Sequence, residues 1–310
     1  MKFTPTNTIT FLLSIFFILS SCNEKKVEQN HSKTLPKLSL AQWSYHKELF
    51  SGKMNNQDFI KKAAELGFEG VEYVNQFFKN KVENLQFLDS LNKTAKEVGI
   101  KNLLIMVDGE GMLGASNPLS RDTALTQHKK WVDAAKILGC SAIRINAHGE
   151  GDSMIMMQNC AESISKLATY GNSKGVKIII ENHGSWSNNG AWLKGLLELL
   201  KPYSVGSLPD FDNWCTMREK GLMYGSPCIK YYDRFKGLEE LMPYASSLSV
   251  KSFNFDKDGM ETTIDYPKMF DIIKKYNYDG YLGIEFEGDS LPADIGVVKT
   301  KDLAVKCWNQ

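Results

Sequence analysis

Eight times along this chain, a short run rich in β-branched and other apolar residues is followed by a longer segment whose apolar residues recur every three or four positions. The short runs are 38–45, 70–74, 101–108, 142–146, 176–181, 205–210, 247–251 and 281–285. Several are apolar almost throughout, as strands of a parallel sheet are when helices cover both faces. The amphipathic segments between them include 56–66, 84–98, 121–138, 155–174, 191–200, 238–245 and 266–276. Gly67, Gly99, Gly139 and Gly175 stand directly after such segments, where helices end in a left-handed residue. Repeating this unit eight times within about 250 residues predicts an α/β fold, a single (β/α)8 barrel. An open doubly wound sheet competes, but no Gly-x-Gly-x-x-Gly opens the first helix and no Gly-Lys-Ser/Thr phosphate loop occurs. The long connections 108–120, 182–190 and 211–232 all follow strands, so a barrel gathers them on one face, where such folds build their sites.

The N-terminus reads as an address. Residues 1–21 hold one lysine near the start and an apolar run over 9–19, too short to span a bilayer as a helix, which predicts a signal peptide. The segment ends Leu19-Ser20-Ser21-Cys22, which resembles the bacterial lipobox, so Cys22 is the expected lipidation site and new N-terminus. Residues 22–37 are polar and read as a flexible tether, leaving 38–310 for the barrel. The expected location is the cell envelope, periplasm-facing or anchored in the outer membrane, with membrane contact only through the lipid. Lys and Arg total 37 against 36 Asp and Glu, a net charge of +1. Without a basic excess or a basic cluster, nucleic acid is excluded as a partner. Six cysteines without a C-x-x-C pair exclude a disulfide scaffold and a zinc ribbon. Cys140, Cys160, Cys215, Cys228 and Cys307 read as buried thiols by default, although an oxidising compartment permits a Cys215–Cys228 bridge.

Chemistry enters where the strands end. A strand buried in a barrel has no structural reason to finish in a carboxylate, because desolvating that charge is costly unless it is paired or bound to a metal. Three do so: IIIENHG at Glu181, LPDFDNW at Asp210 and YLGIEFEG at Glu285. Converging on one mouth, they repel and raise one another's pKa values unless a cation sits between them. Oxygen donors of this kind suit Mg²⁺ or Mn²⁺, with Co²⁺ or Zn²⁺ open if a nitrogen joins. Asp212 and Glu287 are near-duplicates two residues on, and a two-residue slip keeps the same face, so they stay open as alternatives.

These residues, with the strand order, resemble the xylose isomerase-like barrel superfamily of sugar and sugar-phosphate isomerases and epimerases. The resemblance runs through LSLAQWSYH, GFEGVEYVNQFF, IMVDGEG, KILGCSAIRINAHGEG, IIIENHG, LPDFDNW and YLGIEFEG, and it is close to a subgroup of sugar phosphate isomerase/epimerase-like proteins that includes exported lipoproteins. It implies one divalent metal held by Glu, Asp, His and Glu on the fifth to eighth barrel strands, with Glu181, Asp210 and Glu285 on the first, second and fourth of those positions. In the ketose 3-epimerases the two glutamates also flank the substrate, which implies Glu181 and Glu285 as an acid/base pair. The seventh strand departs from the pattern: SLSVKSFNFD puts Ser249 where the histidine is expected, with Lys251 close behind. Either His183, His148 or water completes the ligand set, or Lys251 balances the charge and the metal is bound weakly or not at all. An ammonium there would polarise a carbonyl as a cation does.

Glu72, Asp108, Arg144, His148, Asn213 and Trp186 are the candidates for touching substrate, with Lys251 and His183 as polarising or positioning groups. Arg144, on a strand that should be buried, requires a partner, and a carboxylate is preferred over a phosphate. A hydrogen bond to Arg144 or Lys251 would explain Glu72 equally well. The resulting expectation is an isomerase or epimerase that moves a proton next to the carbonyl of a small carbohydrate. Because phosphorylated sugars are cytoplasmic, export points to a free, oxidised or glycosidic sugar. Elimination from a 3-keto-glycoside is the alternative chemistry, and a non-catalytic carbohydrate-binding lipoprotein is the alternative class. A homo-oligomer stays open.

Overall fold

The structure is a computed structural model and describes residues 1–3 and 35–310. Cys22 and nearly all of the predicted signal peptide and tether lie outside the described residues. The described residues form ten strands in chain order: β1 (Lys37–Ala41), β2 (Gly70–Val74), β3 (Lys101–Met106), β4 (Ala142–Asn146), β5 (Lys177–Glu181), β6 (Gly206–Leu208), β7 (Cys215–Arg218), β8 (Cys228–Tyr231), β9 (Leu248–Ser252) and β10 (Tyr281–Phe286). Eight of them form one parallel sheet in the order β6-β5-β4-β3-β2-β1-β10-β9. Its two edges meet at a seam of isolated bridges, Ser207 to Ala245 and Asp210 to Ser249, where Ser249 N donates to Pro209 O at 3.0 Å and Phe211 N to Ser249 O at 3.2 Å. The (β/α)8 barrel read from the strand repeat is therefore the observed fold, nearly closed and surrounded by helices.

Local chemistry explains where the boundaries shift. The sixth barrel strand was expected over 205–210, but Pro209 has no N–H to give a ladder and Asp210 N donates instead to Asn182 Oδ1 at 2.7 Å, so β6 stops at Leu208. The helix expected over 238–245 begins earlier, at Arg234, because the Asp233 side chain caps the N–H groups of Phe235 and Lys236; it ends in a tight turn at Pro243. Asn55, Asn84, Asn117, Asp152, Asn189 and Asp265 cap other helices in the same way. Gly99, Gly139 and Gly175 each close a helix with φ near +73 to +74°, as their positions in the sequence implied. The eighth helix of the repeat, whose bounds the sequence did not mark, runs Ala293–Trp308. The antiparallel hairpin β7–β8 on the long connection after β6 had no expectation.

The main apolar core fills the layer between strands and helices, with Ile105, Ile143, Ile180, Val250 and Ile284 pointing outward into it. A smaller cluster of Ala41, Val74, Leu104, Met106, Ala142, Ile179 and Leu208 fills the barrel's interior. Side chains on a strand alternate faces, so residues two positions from these inner ones also point inward. That parity places Arg144 after Ala142, Glu181 after Ile179, and Glu72 before Val74 on the inner face.

Candidate active site

At the ends where the strands finish, a cavity of about 780 Å³ opens, and most of its polar lining comes from strand ends. It contains two buried cations, each held by carboxylates. Arg144, on β4, places Nη1 2.6 Å from Asp108 Oδ1 and Nε 2.8 Å from Glu181 Oε2. The Nε contact is an ion pair out of line for a hydrogen bond. Asn146 Nδ2 adds a donor to Asp108 at 2.6 Å, and Asn213 Nδ2 donates to Glu181 Oε1 at 2.9 Å. Burial alone would raise the Asp108 carboxyl, but the charge of Arg144 and the donors around it hold it well below the usual range. Burial dominates at Glu181 and pushes its carboxyl up, with Arg144 opposing.

The second cation is Lys251 on β9. Its Nζ lies 2.8 Å from Glu287 Oε1, 3.3 Å from Asp210 Oδ2 and 3.6 Å from Glu285 Oε2. Burial would lower this ammonium's pKa, but Asp210, Glu285 and Glu287 together raise it, so it stays charged. Ser249 Oγ bridges Asp210 Oδ2 and Glu285 Oε2 at 2.5 and 2.6 Å. Burial pushes the Glu285 carboxyl up, against the pull of Lys251. Asp210 also accepts from the N–H groups of Asp212 and Asn213 at 2.8 and 2.9 Å, which fixes the turn after β6.

A third group joins His148 and His183, both candidates from the sequence, to Tyr224, which was not read from it. His148 Nε2 lies 2.6 Å from the carbonyl oxygen of His183, so it donates there, and the Tyr224 hydroxyl is hydrogen-bonded to His183 Nδ1 at 2.9 Å. Burial lowers the His183 pKa to about 3, so the ring is neutral. Tyr224 belongs to the segment between β7 and β8, which also brings Met223 to the cavity beside Arg218 at the end of β7, and the hairpin is closed by a disulfide, Cys215–Cys228. The thiols expected by default at these two positions are thus replaced by the bridge; Cys140, Cys160 and Cys307 are free and buried. The only trace of the hairpin in the sequence was the spacing of that cysteine pair.

Among the residues singled out from the sequence, Glu181, Glu285, Lys251, His183, Asp108, Arg144, His148 and Asn213 all line this cavity, as do Asp212 and Glu287. Three candidates do not. Asp210 is fully buried and is not among the residues that line the cavity. Glu72 is fully buried below the mouth, where Ser39 Oγ donates to it at 2.7 Å and Ser247 Oγ at 3.3 Å, so its expected partners Arg144 and Lys251 are replaced by serines. Gly283 makes that placement feasible: a Cβ there would sit 2.7 Å from Glu72 Oε1. Trp186 is 41% exposed on the connection after β5 and does not line the cavity; the tryptophan that does is Trp43.

The donor set does not fit the divalent ion that the resemblance implies. Lys251 Nζ already sits within 3.6 Å of Asp210 and Glu285, Arg144 takes one oxygen of Glu181, and the position expected to hold histidine holds a serine bridging two would-be ligands. Among the described residues, no group of three His, Cys, Asp or Glu side chains is arranged to hold a metal.

The class of protein is defined by the fold: residues 60–304 match the xylose isomerase-like TIM barrel family, and the chain belongs to it. Among solved structures, it is similar to D-psicose 3-epimerase from Clostridium cellulolyticum H10 crystallised with D-tagatose, at 14% identity and TM-score 0.62 over 87% of this chain and 96% of that one. It is also similar to 3-keto-D-glucoside 4-epimerase from E. coli, at 15% identity and TM-score 0.63 over 86% and 98%. The IolI protein with a bound zinc atom shares 14% identity with TM-score 0.67 over 87% and 97%. At these identities the likeness establishes the fold. No curated protein sequence matches the chain.

Proposed function

We propose that the protein is a sugar isomerase or epimerase that moves a proton at a carbon next to the carbonyl of a non-phosphorylated sugar or sugar derivative. One observation carries this reading: Glu181 and Glu285 face a single cavity from β5 and β10, which are separated round the barrel by β6 and β9, and each is held by a cation and a neutral donor. Two carboxyls placed on either side of a bound ring can take a proton from carbon and return one, on the same face or the opposite one. Asp108 and Asn146, and the neutral His183, offer hydrogen-bonding groups to sugar hydroxyls. The similarity to a psicose 3-epimerase and a 3-keto-glucoside 4-epimerase supports the substrate class.

The absence of a phosphate in the proposed substrate rests on charge. Of the cations lining the cavity, Arg144 and Lys251 are committed to carboxylates, and Arg218 donates to the carbonyl oxygens of Met223 and Ser226 within its own hairpin. A phosphate entering here would meet five lining carboxylates, Asp108, Glu181, Asp212, Glu285 and Glu287, with no free cation among the described lining residues. Export as a lipoprotein modified at Cys22, and residence in the cell envelope, complete the proposal and agree with the disulfide. Incubating the protein in heavy water with ketoses and with 3-keto-glycosides tests the chemistry. Deuterium should appear on the carbon next to the carbonyl, and a release of aglycone would mark elimination instead. No incorporation from any of these sugars, with or without added metal, overturns the reading. Fatty-acid labelling that is lost in Cys22→Ala tests the anchor.

A further inference from the structure

We propose that Lys251 is the built-in cation of this site, supplying from the chain the positive charge that a divalent ion would supply, so that proton transfer here proceeds without metal. The inference rests on the proton-transfer reading and adds to it the group that receives the developing charge. Its basis is geometric. The ammonium is buried on the inner face of β9, 3.3 Å from Asp210 and 3.6 Å from Glu285, the carboxylates between which an ion would bind, and 2.8 Å from Glu287. Ser249 then ties Asp210 to Glu285 through its hydroxyl, closing the remaining gap between those oxygens. Lysine and serine act together here: a histidine at 249 would add a metal ligand, and a neutral residue at 251 would leave the carboxylates uncompensated. A further point favours action over scaffolding. Lys251 lines the cavity, and its tip carries three rotatable donors on a flexible stem, so it can turn one toward a substrate oxygen while keeping a carboxylate partner.

The step balances without an oxidant or reductant. One glutamate takes the proton from the carbon beside the carbonyl. The C–H electron pair forms the C=C bond of an enediolate, the carbonyl π pair moves onto oxygen, and Lys251 Nζ–H donates to that oxygen. Return of a proton to carbon reverses these movements. Removing one donor aimed at such an oxyanion lowers turnover by roughly 10²- to 10³-fold.

The test has a binding arm and a catalytic arm. Wild-type protein, treated with chelator and dialysed, is titrated with Mn²⁺ by calorimetry, and Ser249→His/Lys251→Ala is titrated alongside. Wild type should take up no stoichiometric Mn²⁺, whereas the double variant should gain a site. Stoichiometric Mn²⁺ in wild type overturns the proposal whether or not any sugar has been found to react. In the catalytic arm, deuterium incorporation by chelator-treated wild type should equal that of untreated protein, and Lys251→Met should lower it by the factor above. Incorporation that vanishes on chelation and returns with Mn²⁺ overturns the proposal while leaving the proton-transfer reading intact. No incorporation under any metal condition sinks that reading instead, and the calorimetry still decides whether lysine stands in the ion's place.

Discussion

Arg144 and Lys251 are both buried cations at the mouth of one barrel, both surrounded by carboxylates, and they are held in different ways. The Arg144 guanidinium is flat and engaged along its edge: Nη1 with Asp108 and Asn146, Nη2 with Asp108 and Nε against Glu181. Its geometry admits little movement, which suits a group that fixes others in place. Lys251 meets Asp210, Glu285 and Glu287 at 2.8 to 3.6 Å as a point charge on a four-carbon stem. Such a charge can shift between oxygens at little cost. The contrast teaches that compensating buried charge and taking part in chemistry are separable tasks, here divided between β4 and β9. Glu181 joins the two, since it leans on Arg144 and also faces the cavity.

That division can be broken experimentally. Glu181→Gln keeps the size of the side chain and removes its ability to hold or release a proton; deuterium incorporation should fall by roughly 10²- to 10⁴-fold, with circular dichroism unchanged. Retained activity would remove Glu181 from the acid/base pair. Arg144→Met should act on stability instead. It leaves Asp108 and Glu181 buried without their cation, a loss of about 3–5 kcal/mol read from the urea midpoint. If Arg144→Met unfolds no more easily than wild type, the guanidinium is not scaffolding and the contrast with Lys251 fails.

Glu72 is a buried carboxyl outside both clusters and has no cation in contact with it. Burial raises its carboxyl from 4.5 to about 7, with two serine hydroxyls as its partners and Oε2 unpaired. In the folded protein the group prefers its proton, so it contributes nothing unfavourable below pH 4.5 and becomes a burden as pH rises toward and past 7. A rise from 4.5 to about 7 corresponds to a stability loss on the order of 3 kcal/mol, complete once the pH passes about 7. Glu72→Gln should flatten the fall in Tm between pH 5 and pH 8 and leave the protein more stable than wild type at pH 8. A wild-type Tm that is level across this range would mean that Glu72 is compensated after all.

Glu72 also shows what the sequence could and could not convey. Strand ends ending in charge were legible because a desolvated carboxylate has no local reason to be there, and this located Glu181, Asp210 and Glu285 and the need for a partner at Arg144. Inward parity was legible too, since it depends only on period two. What parity does not tell is depth: Glu72 and Glu181 point into the same barrel, but β2 places its glutamate near the middle of the strand and β5 places its own at the end. The Ser39 and Ser247 hydroxyls that receive Glu72 are distant in sequence and carry no signature. The side-chain clamp by which Asn182 holds Asp210 in place of a strand ladder is likewise a tertiary fact. Trp186 failed for a related reason, because a position just after a strand fixes the loop but not which of its residues turns inward.

The hairpin between β7 and β8 gives the smallest expected effect and separates the rim from the two charged clusters beneath it. Cys215–Cys228 closes the segment that carries Tyr224, and Arg218 stiffens it by donating to Met223 O at 3.1 Å and Ser226 O at 2.7 Å. Neither feature touches Glu181, Glu285 or Lys251, so loosening the hairpin should change how well substrate is held and not how fast the proton moves. Tyr224→Phe removes one hydrogen bond, to His183 Nδ1, worth about 0.5–1.5 kcal/mol, which converts to roughly a two- to twelvefold rise in KM at constant kcat. Cys215→Ser/Cys228→Ser, or reduction of the bridge in wild type, should raise KM in the same direction, because the ordering of the segment must then be supplied by the bound sugar. A drop in kcat with KM unchanged would place Tyr224 among the groups that act on the reacting atoms, and the His148–His183–Tyr224 chain would then be a proton route in its own right.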